Sequence, residues 1–224
     1  MKSTRRTQAL AAGISLIVMA IAAVFSYGYV LGSIEVQGDP AATYDQLIHH
    51  DALFRTSLVG WLLIFVTDLI VTVSLYLFFR ETRKGLSLAT ATLRLVYTII
   101  LGIALIKLFS LLSPLNEKGI DAIQAGNQVL AALDSFGTIW SVGLIIFGLH
   151  LLGLGTLGLL DRKVPNIFPY LLFFAGVGYL VVHVSKTLIG LPENTVNTME
   201  TILMAPMALG EILLAIWLIV KGGK

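Results

Sequence analysis

The chain has 224 residues, of which 57% are hydrophobic and 12% charged, with a formal net charge of +2 and no cysteine. Soluble domains carry about 25% charged residues, so the apolar excess, gathered into long runs, defines a polytopic α-helical membrane protein. The small net charge argues against a nucleic-acid partner, and the lack of cysteine excludes a disulfide framework, a thiolate nucleophile and a Cys-ligated metal site.

Lys2, Arg5 and Arg6 precede an apolar run from Ala9 to Gly32. A signal peptide has only about 7–15 apolar residues before a small-residue cleavage site, so this run reads as a retained first span. Gly28 and Gly32 form a GxxxG near its far end, which either admits a second helix or is merely tolerated facing lipid. Gln37-Gly-Asp-Pro40 is a turn signal, and residues 41–51 read as a short interfacial helix leading into the second span. Arg80-Glu-Thr-Arg-Lys84 is a tight basic loop, and the third span stops at Ser113-Pro114.

Between Asn116 and Leu133 apolar residues recur among polar ones, which suits an amphipathic segment lying on the membrane surface. The fourth span closes at Asp161-Arg-Lys163. The fifth starts around Pro165 and Pro169, prolines compatible with a first helical turn. Pro206 marks a kink in the sixth. The expected architecture is therefore a single domain, a six-transmembrane-helix bundle with spans at about 9–33, 56–79, 86–112, 135–160, 166–188 and 199–220, each near the length that crosses a bilayer. The short alternating segments of a membrane barrel are missing.

The N-terminus, the 80–84 loop, the 161–163 loop and the C-terminus hold about ten of the fifteen lysines and arginines. The opposite loops hold Arg55 and Lys118, with Lys186 near that border. By the positive-inside rule both termini are cytoplasmic, in the cytoplasmic membrane.

Four ionisable residues lie deep in the spans: Asp68, Arg94, His150 and Glu211. An aspartate at the centre of a span costs roughly 2.5–3.5 kcal/mol on insertion scales, so it needs a partner or a purpose. Each lies about 10–12 residues from the basic end of its span, hence at similar depth for a rise of about 1.5 Å per residue. Asp68, Thr72 and Tyr76 share one helix face; Ser87, Thr90, Arg94, Tyr97 and Thr98 share another. On adjacent antiparallel helices Asp68 and Arg94 meet as an ion pair. That pair serves either to join two helices or to line a polar pocket or proton path. Gly143 and Gly153 near His150 are read as leaving space beside its ring, with Arg94, Glu211 or Tyr97 as its expected partners. Glu211 at this depth is either charged or protonated.

A second polar set lies towards the other face: Arg55, Lys107, Asp134, His183, Lys186 and Glu200, where snorkelling and interfacial pairing are the ordinary explanation. His49-His50-Asp51 is the one metal-like cluster, but it lacks HExxH or helical His pairing, and no metal or cofactor is assigned. No GxSxG, Walker or dinucleotide motif is present.

Five stretches together resemble an uncharacterised bacterial integral-membrane family, the domain-of-unknown-function family DUF4386. They are Gly38-Asp-Pro-Ala-Ala-Thr43, Leu53-Phe-Arg55, Leu93-Arg-Leu95, Phe147-Gly-Leu-His-Leu-Leu152, and Gly176-Val-Gly-Tyr-Leu180 following Pro165. The resemblance implies six spans, with Arg55, Arg94 and His150 on the family's polar positions, and implies no activity. Pro40 and Pro169 depart from its pattern and leave loop shape and the start of the fifth span open. Three roles follow from the sequence. The first is binding or transport of a small molecule, lipid or proton through the polar layer. The second is a structural or regulatory partner of another membrane protein or of a second copy. The third, least supported, is a lipid-acting intramembrane enzyme.

Overall fold

The computed structural model describes residues 2–36, 38–116, 119 and 121–224; Gln37 of the expected turn and Lys118 of the sparsely basic loops lie outside them. Every element among the described residues is helical. In chain order they are α1 (Lys2–Ala23), a π-helical continuation Val24–Leu31, α2 (Gly32–Ile34), α3 (Pro40–His49), α4 (Asp51–Ser110), α5 (Leu112–Asn116), α6 (Ala122–Leu160), α7 (Ile167–Val184) with a π-helical end Ser185–Ile189, and α8 (Glu193–Val220). Five helical stretches, beginning at Thr4, Asp51, Ala122, Ile167 and Asn194, are long and apolar enough to cross a membrane.

The 60 residues of α4 would reach about 90 Å if straight. They do not, because Arg83 leaves the helix with φ −158° and ψ 94° and the chain doubles back. The arms 51–82 and 84–110 lie side by side. Ser87 Oγ donates to the Tyr76 carbonyl at 2.9 Å, and Gly102 admits the Phe65 ring. The expected loop at 80–84 is thus a one-residue break.

The helices close into a ring: α1 packs on α4, α4 on α6, α6 on α7, α7 on α8, and α8 back on α1. Small residues set the closest approaches. A Cβ on Gly148 would meet the Gly176 carbonyl at 2.9 Å, and one on Gly13 the Ala215 carbonyl at 2.8 Å. Gly28 and Gly32, by contrast, face open space, so their GxxxG joins no helix among the described residues. Val59, Val66 and Val73 on α4 and Ile99, Ile103 and Ile106 on its second arm are exposed, while polar side chains turn inward. That inversion is what a hydrocarbon solvent requires.

The motif from Gly38 to Thr43 builds the start of α3. Gly38 has φ +75°, a left-handed turn that favours glycine. Asp39 caps the helix by accepting from the Ala42 amide at 2.9 Å, and Pro40 fits the first turn. Thr43 Oγ1 accepts from the Val36 amide at 3.1 Å. The interfacial helix expected over 41–51 is therefore α3, but it does not simply lie on the membrane. Its Pro40 backbone sits where a side chain on Gly126 would be, and Tyr44 donates to the Pro114 carbonyl at 3.1 Å.

The same contact corrects the reading of 116–133. From Ala122 onward this segment is continuous with the fourth long helix, and it buries Ala125, Gly126 and Val129. Its buried face packs on α3, with Gly126 against the Pro40 backbone.

The four segments rich in lysine and arginine converge at one end of the ring. Arg5 pairs with Asp161, Thr82 Oγ1 donates to the same carboxylate at 3.0 Å, and Lys163 N donates to its other oxygen at 3.1 Å. Arg6 caps the C-terminus of α8 by donating to the carbonyls of Leu218 at 2.9 Å, Gly222 at 2.8 Å, and Ile219. Cations belong at the negative end of a helix dipole. This basic end is a structured joint, not a set of free loops.

Candidate functional site

Depth counting brings Asp68 and Arg94 level, and the fold at Arg83 brings them together. Arg94 donates to Asp68 Oδ1 from Nε at 2.8 Å and from Nη2 at 2.5 Å. Thr98 Oγ1, one turn along from Arg94, donates to the second carboxylate oxygen. Asp68 and Thr98 are wholly buried and Arg94 is 1% exposed. A buried carboxylate with both oxygens bonded, facing a guanidinium, is one of the few ways to keep these charges inside a membrane protein.

His150 from α6 completes the layer. Its Nε2 lies 3.2 Å from Arg94 Nη1 and its Nδ1 lies 2.9 Å from the Thr90 carbonyl. A guanidinium can only donate and a carbonyl can only accept. The imidazole bonded to both is therefore neutral, with its proton on Nδ1. Arg94 Nη2 also faces Met19 Sδ of α1 at 3.9 Å, and its guanidinium stands 5.3 Å from the centre of the Phe147 ring. One arginine thus touches α1, both arms of α4, and α6.

Several expectations are revised. Gly143 and Gly153 leave no space beside the imidazole. A Cβ on Gly143 would meet the Ile100 and Tyr97 side chains, and one on Gly153 would lie 2.5 Å from Thr90 Oγ1. They seat α6 against the second arm of α4 and so carry His150 to Arg94. Tyr97 does not bond to His150; its hydroxyl accepts from Trp140 Nε1 at 3.3 Å. Glu211 does not bond to His150 either. It lies within electrostatic range of Arg94 and Asp68, and its buried Oε1 has no hydrogen-bond partner among the described residues.

The second polar set does not converge. Lys107 and Asp134 are exposed, Arg55 pairs with Asp51 at 2.6 Å, and Lys186 approaches Glu200 at 3.8 Å. His183 is buried and stacks on Tyr179, with ring centres 5.9 Å apart. Sequence reasoning missed Met19, Phe147 and the Thr90 carbonyl. A thioether, a ring and a backbone oxygen have no polar signature in an apolar helix. It also missed the Arg5–Asp161 pair, since Asp161 sits inside a run read only for its positive charge. Among the described residues no three His, Asp or Glu side chains are placed to hold a metal ion.

The two sides of the layer differ. Away from the basic end, Trp61, Phe136, Trp140 and Tyr27 interlock, with Trp61–Phe136 ring centres at 5.1 Å, Trp61–Trp140 at 5.3 Å and Tyr27–Trp140 at 4.8 Å. Towards the basic end lies a cavity of about 10 Å³ lined by Thr72, Tyr76, Ser87, Thr90 and His150 with apolar neighbours. That is room for a single water. Thr90 is one of its lining residues, and its Oγ1 is buried without a protein partner among the described residues.

A ring of apolar-faced helices closed over a neutralised charge layer is the structure of a multi-span helical membrane protein. The family model for the domain of unknown function DUF4386 matches residues 11–222, and the chain belongs to that family. It is also 30% identical over 169 residues to an "Uncharacterized protein" of Archaeoglobus fulgidus, a match covering 75% of this chain and 85% of the relative. That relative comes from an archaeon, so such sequences are not confined to bacteria. No solved structure matches significantly.

The geometry makes Asp68 and Arg94 energetically coupled. Asp68→Asn and Arg94→Gln should each lower stability in detergent by roughly 3–5 kcal/mol, the scale for orphaning one member of a buried pair. The double variant should lose clearly less than the sum, as measured by reversible thermal or denaturant unfolding. Additive losses would separate the two residues.

Proposed function

We propose that this is a six-span protein of the cytoplasmic membrane, with both termini in the cytoplasm, that binds a proton or small polar molecule at its buried charge layer. Access is from the cytoplasmic end. The two arms of α4 supply two of the six spans. The basic end, with about ten of the fifteen lysines and arginines, supplies the orientation.

The observation that carries the reading is the small cavity, whose largely apolar walls also include Thr72, Tyr76, Ser87, Thr90 and His150. It lies on the basic side of the layer against His150 and Thr90, whose hydroxyl has no partner among the described residues, while interlocked aromatic rings occupy the other side. A packed structural joint has no use for a buried hydroxyl without a partner, because an unmade hydrogen bond costs about 1–3 kcal/mol. A water in the cavity satisfies it and stands next to the imidazole. Arg94 donates to His150, and the Glu211 carboxyl is within its electrostatic range. A guest larger than water requires the helices at the Arg83 end to part.

The second reading is a membrane partner protein with no ligand chemistry. Its support is the completeness of the Asp68–Arg94–His150 bonding, which needs nothing from outside. Thr90→Val separates the two, being nearly isosteric at a hydroxyl with no protein partner among the described residues. If the cavity works, water-edited solid-state NMR in bilayers should show magnetisation passing from water to the His150 ring in wild type, and Thr90→Val should lose it with unchanged folding. If the layer only assembles the bundle, the variant should match wild type in that transfer and equal or exceed it in stability.

Orientation has its own check. The chain has no cysteine, so single cysteines report cleanly. In intact cells, cysteines at Ser3, Lys84 and Lys224 should resist a membrane-impermeant thiol reagent, and one at Gln124 should react. The reverse pattern would invert the protein, and labelling at all four would undo the six-span count.

A further inference from the structure

A second cavity, of about 130 Å³, lies at the basic end between α1 and the first arm of α4, lined by Thr4, Arg5, Gln8, Leu77, Arg80 and Glu81. It is far larger than the space at His150 and does not touch the charge layer. Its position is set by the sequence. Gln8 immediately precedes the first apolar run, and Leu77 lies at the end of the second, so the cavity straddles the rim of the apolar band.

Arg5 is held rigidly there. It pairs with Asp161, lies 4.4 Å from the centre of the Phe78 ring, and is 11% exposed, yet its buried Nε has no hydrogen-bond partner among the described residues. Arg80 is exposed and makes no ion pair among the described residues. Two guanidiniums, one with an unused buried donor, meet a hydroxyl and an amide at a cavity the size of a polar headgroup. Oriented N–H donors of this kind suit a phosphate.

Glu81 lines the same cavity. A bare anion would meet its carboxylate unfavourably, whereas a phosphodiester bearing a short-armed ammonium would satisfy both signs. Leu77 continues along its helix face through Val73, Ile70 and Val66, the last three exposed and apolar, forming a track on which an acyl chain can lie. Basic pockets between helices at this level of the membrane are places where lipid headgroups bind.

We propose that this cavity binds the headgroup of an aminophospholipid, its phosphodiester against the guanidiniums of Arg5 and Arg80 and its ammonium towards Glu81. The site is independent of the charge layer, and the proposal holds whichever compartment the basic end faces.

Native mass spectrometry of the detergent-solubilised full chain tests it. The probes are dihexanoyl phosphatidylethanolamine, the matching phosphatidylglycerol and inorganic phosphate. Wild type should show one saturable phosphatidylethanolamine adduct. Arg80→Gln and Glu81→Gln should each weaken it at least tenfold. Lys84→Gln, which removes the same charge outside the cavity, should leave it unchanged. Should Arg80→Gln fail to fold, Gln8→Trp, which fills the cavity, should abolish the adduct. The proposal is overturned by undiminished binding in Arg80→Gln or Gln8→Trp, by equal loss in Lys84→Gln, or by phosphatidylglycerol binding more tightly. Inorganic phosphate binding as tightly as the lipid would make the site one for a free anion and overturn it as well.

Discussion

A guanidinium and a carboxylate inside a bilayer leave the chain little freedom. Separated, each would face hydrocarbon with its charge uncompensated. Together, as Arg94 and Asp68, they require the two arms of α4 to run antiparallel in one register, and the break at Arg83 supplies the reversal. Arg94 has more donors than one carboxylate can use, and the surplus recruits α6 through His150 and reaches α1 at Met19. His150 passes the constraint on to the Thr90 carbonyl. Apolar packing between helices in lipid is weakly directional, since lipid tails are as apolar as leucine. The register of this bundle therefore depends on the charge layer, and glycines at 148, 153 and 176 let the helices come close enough to make it.

The layer is also where the protein is asymmetric. Rings fill the space on one side, and on the other Thr72, Tyr76, Ser87, Thr90 and His150 join apolar neighbours around a small cavity. Glu211 adds a carboxyl within electrostatic range of Arg94, and its buried oxygen finds no partner among the described residues.

Much of this was legible in the sequence because depth along a helix is a count of residues. Counting from the basic ends aligned Asp68 with Arg94 and both with His150, and the period of the polar residues put Thr90 and Thr98 on the correct face. What failed was the detail that depends on neighbours. Glycine marks a close approach without saying to what, so Gly143 and Gly153 suggested space by the imidazole where the second arm of α4 sits. A backbone carbonyl carries no residue identity, which hid the partner of His150 Nδ1. The amphipathic period of 116–133 was real, but a helix on a membrane surface and a helix packed on α3 share that period. Summing charge over the loops hid the pairing of Arg5 with Asp161.

The state of His150 is the most direct report on the charge layer. Nitrogen-15 solid-state NMR of histidine-labelled protein in lipid bilayers at neutral pH, with the signal assigned by its loss in His150→Gln, reads which ring nitrogen carries the proton. The hydrogen bonds to Arg94 and to the Thr90 carbonyl predict a neutral ring with a protonated Nδ1 and a bare, hydrogen-bonded Nε2. A proton on Nε2, in either the other tautomer or the imidazolium, would set a donor against a donor at Arg94 and contradict the account.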